Sequence, residues 1–250
     1  MAKLGFEVIV HGRNKEKAEA VLSDIKNKTN QNNLTAVYAD LVSFTQIIEM
    51  ADTIYERFNK LDILINNAGV LRPNHYITKE GLEETFTVNY VAPFLLTNLL
   101  IKLLKKESSS RIVNVASRVH SNHIDFDNLQ FEKGYSGVKA YAQSKTCLIM
   151  FTYFLAEKLK DTNITLNCLH PGVINTKLLR AAYGSFGASP SEGAKALIYA
   201  STSPELEKIS GKYLKDNTIT SSKDITYNKE LQKKLWKKTE DIIGIKFENF

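Results

Sequence analysis

Cysteine is scarce: only Cys147 and Cys168 stand among 250 residues. They form no C-x-x-C and no metal-ligand spacing, which excludes a disulfide framework and a zinc module. Both lie in apolar stretches and read as buried, reduced thiols of an intracellular protein. Long hydrophobic runs are missing as well. The most apolar stretch, residues 91–104, is broken by Pro93, Thr97, Asn98 and Lys102, so it reads as a buried helix and not as a membrane span. No signal peptide is expected. Arginine clusters are absent: the net charge of +6 comes mainly from scattered lysines, without basic–aromatic interleaving. Nucleic acid is therefore not an expected partner. His120 and His123 stand close together but have no third ligand nearby, so they read as loop histidines and no metal site is expected. N-x-T triplets at Asn27, Asn33 and Asn163 arise by chance in an Asn-rich chain and do not point to secretion.

What is present is a regular alternation. An apolar fraction of 43% suffices for one full core, and one domain is the simplest organisation. Residues 6–10, 35–38, 63–65, 111–116, 165–169 and 212–214 read as strands. Residues 15–26, 43–58, 79–106, 138–159, 191–201 and 228–243 read as helices, with Ser43 and Ser191 as candidate caps. Strand–helix alternation implies α/β architecture, parallel strands and right-handed crossovers. Continuous apolar strands fit a sheet covered on both faces. The expected fold is a Rossmann-like doubly wound parallel sheet, whose ligands bind outside the carboxyl ends of the strands.

Several residues there carry chemistry. Tyr141 and Lys145 are four apart on a helix and share a face. A phenol is a poor acid–base catalyst near neutrality, and a neighbouring ammonium favours its phenolate form, which makes the pair a usable general acid/base. Y-x-x-x-K also occurs at Tyr135 and Lys139, but Gly134 and Gly137 flank that tyrosine and disfavour a helical turn. Tyr141 leads straight into an apolar helix and is the chosen candidate. Ser117 lies just past the strand 111–116, where a hydroxyl can bond a substrate oxygen or simply cap a loop. Asn89 lies inside the helix 79–106. It is either exposed, or inward and in need of a partner such as a water that relays protons to Lys145.

These residues, with Asn-Asn-Ala-Gly at 66–69 and Pro171-Gly172, occur in the order and strand context of a known family. The chain resembles the short-chain dehydrogenase/reductases, and within them the retinol-dehydrogenase-like branch. The narrower likeness rests on Asn89-Tyr90, on residues 140–145 and 171–176, on Ser203-Pro-Glu-Leu206 and on residues 231–236. The resemblance implies an NAD(P)(H)-dependent oxidoreductase that interconverts an alcohol and a carbonyl on a small lipophilic substrate. It implies Asn89, Ser117, Tyr141 and Lys145 as the catalytic set. Cofactor roles fall on Arg13 at the adenosine ribose, on Asp40 and Leu41 at the adenine, and on Asn67, Ala68 and Gly69 along the adenosine side. Pro171, Gly172, Val173 and Thr176 match the nicotinamide-binding turn, beside Tyr141 and Lys145. Arginine where the family's NAD users carry an acid implies NADP(H) over NAD(H).

The family begins with a strand, a glycine-rich turn and a helix, and residues 1–5 resemble only the tail of that helix. About 25–30 residues are lacking by this comparison. Gly184 and Gly187 lie in the wrong place to replace the turn. The lacking strand is the central one, between 6–10 and 63–65. Its loss strips partners from two buried strands at about 1–3 kcal/mol for each unsatisfied group, so the chain is expected to be unstable unless those strands re-pair directly. The lost turn would also have held the pyrophosphate, so cofactor affinity is expected to fall. A shortened or alternatively spliced sequence is the leading explanation, and a non-catalytic binding protein the rival one. Residues 177–190 are short where the branch carries a substrate lid. The C-terminal lysines 229, 233, 234, 237 and 238 alternate with Leu231, Leu235, Trp236 and Ile242. That is either a basic membrane-surface helix or, preferred, a packed helix with a wet lysine face. The resemblance leaves a cytoplasmic site and a membrane-associated one, as at the endoplasmic reticulum, both open. It also implies a homodimer through the helices 79–106 and 138–159.

Overall fold

The computed structural model describes residues 1–107 and 109–247. Local chemistry sets the first boundaries. α1 (Lys15–Thr29) starts where the Asn14 side chain accepts from Lys17 N, and α2 (Phe44–Arg57) where Ser43 Oγ accepts from Gln46 N. The strands are β1 (Val8–Gly12), β2 (Leu34–Tyr38), β3 (Ile63–Asn66), β4 (Ser110–Val115) and β5 (Ile164–His170). β1 runs two residues later than the sequence pattern suggests, because the ladder with β2 continues to Gly12 opposite Tyr38. A side chain on Gly12 would meet Ala18 N at 2.5 Å, so only glycine lets α1 turn back so tightly over the strand end.

The expected helix 79–106 starts later. Residues 78–82 form a turn, and the Glu83 carboxylate caps Thr85 N and Phe86 N. α3 (Glu84–Phe86), a π-helical turn (Thr87–Val91) and α4 (Ala92–Leu104) then run on as one 21-residue helix. It is the one described helix long and apolar enough to cross a membrane, and it is mostly buried as the core helix of the fold. α5 (Gly137–Lys158), α6 (Lys177–Tyr183), α7 (Pro190–Thr202) and α8 (Lys229–Ile243) follow. Ser189, not Ser191, caps α7, because Pro190 takes the first helical position, where its missing N–H costs nothing. β6 (Tyr213–Lys215) matches the expected last strand, but a further strand, β7 (Thr218–Thr220), returns antiparallel to it. Asp216 and Asn217 both take positive φ, as a two-residue hairpin requires.

The strands do not make one sheet. β1 and β2 form a parallel pair, and β3-β4-β5-β6-β7 form a separate five-stranded sheet. β1 and β3 have not re-paired. Between them lies a cavity of about 990 Å³, with Val8–Val10 and Ile63–Ile65 along its sides. Ala39 N donates to Gly12 O and Val8 N to Asn33 O. By the alternation of a parallel ladder, Val8, Val10 and Gly12 therefore bond β2, while Ile9 and His11 turn their N–H and C=O to the cavity. Arg111 N donates to Asp62 O, which likewise turns Ile63 and Ile65 to the cavity. The apolar residues of β1 and β3 are only half-buried, whereas those of β4 are almost all buried. Helix packing joins the two sheets: Met50 and Ile54 of α2 share a core cluster with Leu100 and Leu103 of α4, against Ile9 and Leu64.

The C-terminal helix packs. Leu235, Trp236 and Ile243 are buried, Trp236 stacks on Phe151 and meets Phe94 edge-on, and Tyr90 Oη bonds Thr239 Oγ1 at 2.6 Å. Lys234 lies over the Phe126 ring, and Lys238 bonds the Phe126 carbonyl. The apolar face of α8 is thus spent on α4 and α5 and not offered to a membrane. The strip of α4 and α5 that it covers is in turn closed to the expected homodimer contact.

An open cavity between two strand edges has a direct signature. The amides of Ile9, His11, Ile63 and Ile65 are expected to exchange with solvent at least about tenfold faster than those of Val10 and Leu64. Residue-resolved hydrogen exchange checks this.

Candidate active site

The carboxyl ends of β3, β4 and β5 open into a second cavity, of about 640 Å³. Asn67, Ala68 and Gly69 follow β3 into its wall, Ser117 follows β4, and Pro171, Gly172, Val173 and Thr176 follow β5. Tyr141 and Lys145 reach it from the first turns of α5. The sequence reading named all of these, and the crossovers bring them together because every parallel strand delivers its following loop to the same edge.

Lys145 is 3% exposed. Its Nζ donates to Val115 O at 2.8 Å and lies 5.6 Å from the centre of the Tyr141 ring. Burial lowers its pKa to about 8. Ser117 Oγ accepts from Val119 N at 3.0 Å, which leaves its own proton for another acceptor. His120 fixes the backbone there. Its Nε2 accepts from Lys223 N, so Nδ1 carries the proton and donates to Ser117 O at 2.8 Å. His120 had read as a bare loop histidine, since nothing in the sequence shows that residue 223 lies beside residue 120.

Asn89 is fully buried on the π-helical turn. Its Oδ1 accepts from Val70 N, and its Nδ2 donates to Val70 O and Ser144 Oγ, at 2.8–3.0 Å. The inward reading holds, with the Val70 backbone and Ser144 Oγ as partners. Its place is behind Gly69, where an added Cβ would stand 3.4 Å from Asn89 Oδ1 and 3.5 Å from Lys145 Nζ. Asn66, Asn114 and Thr152 tie β3, β4 and α5 together beneath the site, with bonds of 2.8–2.9 Å. Being fully internal, they carry no sequence signature beyond polar residues in apolar strands and helix.

Tyr135 is elsewhere. Its hydroxyl donates to Arg72 O, and its pKa is pushed up to about 12, by burial first. Arg13, Asp40 and Leu41 also stand apart from the cavity. Arg13 Nε donates to Asp40 Oδ2 at 2.9 Å, so the expected ribose and adenine contacts bind each other across the ends of β1 and β2. Leu41 packs into the core and lines the interstrand cavity. Residues 177–190 supply more than a shortened loop: Leu178, Leu179 and Phe186 wall the site. Their apolar character was visible in the sequence, but the helical turn that aims them was not. Thr176 Oγ1 caps that helix by accepting from Leu179 N.

The buried ammonium makes stability depend on pH. Unfolded, Lys145 titrates near about 10.4; folded, near about 8. Between those values the unfolded chain holds the extra proton, so the burial penalty is fully present below about 8 and is relieved as pH rises towards about 10. Lys145→Met is expected to stabilise the fold near pH 7 by up to about 3 kcal/mol, with a gain that shrinks above pH 8. Urea denaturation across that range measures it.

A family model described as short chain dehydrogenase matches residues 1–184. Human polyprenol dehydrogenase is 38% identical over 263 aligned positions, which cover 98% of this chain and 80% of that protein. Human retinol dehydrogenase 13 is 36% identical, with 98% and 79% covered. A solved structure from Mycobacterium paratuberculosis, 24% identical, superposes with a TM-score of 0.78 over 97% of this chain and 86% of its own, which bears on the fold alone. With the Rossmann-like sheet and the cavity at its carboxyl edge, these matches make the chain a member of the short-chain dehydrogenase family of oxidoreductases, akin to its retinol-dehydrogenase-like branch.

Proposed function

We propose that this chain is an NADP(H)-preferring oxidoreductase that interconverts an alcohol and a carbonyl on a small lipophilic substrate of retinoid or isoprenoid type. It works as one domain over residues 1–250. The observation that carries the proposal is the convergence of Ser117, Tyr141 and the buried Lys145 on one cavity, with Asn89 locked behind them. Ser117 directs its proton at the substrate oxygen. Tyr141 gives a proton to that oxygen in reduction and takes it back in oxidation, and the Lys145 ammonium favours the phenolate. Asn89 is a positioning residue: it holds residue 70 and Ser144 so that Lys145 keeps its place.

The residues present fit both ends of a nicotinamide dinucleotide. Gly69 leaves a wall that a Cβ would narrow, and Gly172, at φ +96°, turns the chain after β5 into the cavity. Pro171, Gly172, Val173 and Thr176 would line the nicotinamide, with Asn67, Ala68 and Gly69 along the adenosine side. Arg13, 55% exposed in its pair with Asp40, would face a ribose 2′-phosphate. When bound, the nicotinamide supplies or accepts the hydride. Leu178, Leu179 and Phe186 favour an apolar substrate. Such a substrate also suits an intracellular enzyme that works in the cytoplasm or against a membrane such as the endoplasmic reticulum.

One observation favours a second reading. β1 and β3 belong to separate sheets with a cavity between them, apart from the catalytic cavity, so a non-catalytic chain with weak cofactor affinity would keep the same four residues in place. NADPH titration of the purified chain separates the two readings. Micromolar binding, tighter than for NADH, with turnover of a lipophilic aldehyde supports the enzyme; no binding supports the other. In the enzyme, Tyr141→Phe is expected to lower kcat by about 10²–10⁴-fold with little change in KM. Carbonyl reduction is expected to slow as pH rises through about 8, where Lys145 loses its charge. Steady-state kinetics across pH tests both.

A further inference from the structure

We propose that Arg118 and His170 form an anion subsite at the substrate end of the catalytic cavity, and that it takes a carboxylate carried by the lipophilic alcohol or carbonyl. The inference rests on the reaction proposed above for the nature of the reacting group, while binding of the carboxylate stands apart from turnover.

The sheet brings the two residues together. Ala116 N donates to Leu169 O, so the chain leaves β4 beside the end of β5, and both Arg118 and His170 line the cavity. The backbone on either side of Arg118 is fixed. Ser117 Oγ accepts from Val119 N, and His120, held by Lys223 N, donates to Ser117 O. The Arg118 side chain is exposed and, among the described residues, has neither an ion pair nor a hydrogen bond. His170 is 7% exposed, and its Nδ1 is buried with no hydrogen-bond partner among the described residues. Burial first, and then the Arg118 charge, lower its pKa to about 4, so the ring is neutral at physiological pH. A neutral imidazole keeps one N–H donor. Lys215 and Asp216 also act on this ring, but they pair with each other at 4.0 Å and do not line the cavity.

The charge of the cavity favours an anion. Arg118, Lys145 and Lys177 line it, and no Asp or Glu stands among the described lining residues. Two of these cations have other roles. Lys145 serves Tyr141, and Lys177 follows Thr176 in the turn read above as nicotinamide-binding. Arg118 follows β4 and neighbours β5, away from residues 67–69 after β3. It stands beyond Ser117, whose hydroxyl meets the reacting oxygen, so its charge is left for the substrate. The guanidinium fork matches a carboxylate through two parallel N–H groups. One arginine beside a neutral ring balances one negative charge. Val119, Leu179 and Phe186 give the hydrocarbon between the two ends of the substrate an apolar wall.

The probes are octanoate and octanamide, a charged and a neutral ligand of one shape, titrated into the full chain by calorimetry. Octanoate is expected to bind about ten- to a hundredfold more tightly. Arg118→Gln is expected to abolish that difference and leave the octanamide affinity unchanged. Arg118→Lys keeps the charge without the fork and is expected to retain part of it. His170→Phe keeps a ring without its N–H and is expected to weaken octanoate by about three- to tenfold; if that variant does not melt cooperatively, the Arg118 variants decide. Equal affinity for the two probes, no binding of either, a difference that survives Arg118→Gln, or one lost only in Lys177→Gln overturns the proposal. With NADPH, the ω-aldehyde of octanoate is expected to show a KM about tenfold or more below that of octanal. Equal KM values overturn the subsite. No turnover of either aldehyde, with the binding difference intact, supports the subsite and overturns the reaction.

Discussion

The buried ammonium of Lys145 is the point on which the carboxyl edge of the sheet depends. It reaches the site from α5, its bond to the Val115 carbonyl fixes the height of α5 over β4, and Tyr141, one turn earlier, is placed by the same contact. A charge so deep is tolerated because the surroundings are polar in the right places. Asn89 bonds Val70 and Ser144 on the neighbouring turn, and Asn66, Asn114 and Thr152 bond one another beneath. Burying a cation is costly in general. Here that cost appears as the lowered pKa, and the same lowering puts the group's titration near physiological pH.

A second feature is the separation of β1 from β3, which belong to different sheets with a cavity between them. The chain bridges it with helices: α2 lies on α4, and the β1–β2 pair follows α2. The catalytic half does not share this separation. β3, β4 and β5 keep their ladders, α5 packs on β5, and α8 seals α4 and α5 through Trp236. Chemistry at the cavity edge and continuity of the sheet are thus carried by different parts of the molecule.

Much of the site was legible in the sequence because its signals are local. Tyr141 and Lys145 share a helix face by spacing alone, and Ser117, Asn67 and Pro171 each follow an apolar strand. The choice between Tyr141 and Tyr135 also turned on local chemistry, since glycines flank the latter, and the structure ties Tyr135 to Arg72 and Glu83. Relations that did not register were those depending on distant partners. Arg13 and Asp40 stand 27 positions apart, and only the fold shows that they form one ion pair. Thr218–Thr220 is too short and polar to register as a strand without the Asp216-Asn217 turn that folds it back on β6.

The sequence by itself determined the alternation of strands and helices, the parallel sheet and the catalytic candidates, because each follows from residue type and short-range spacing. Tertiary structure alone decided that β1 and β3 lie in separate sheets. It also decided that Asn89 is held by Val70 and Ser144, and that the lysine-rich last helix spends its apolar face on α4 and α5. These depend on which groups meet across long stretches of chain, and pairing at a distance is set by packing in three dimensions, which no local pattern encodes.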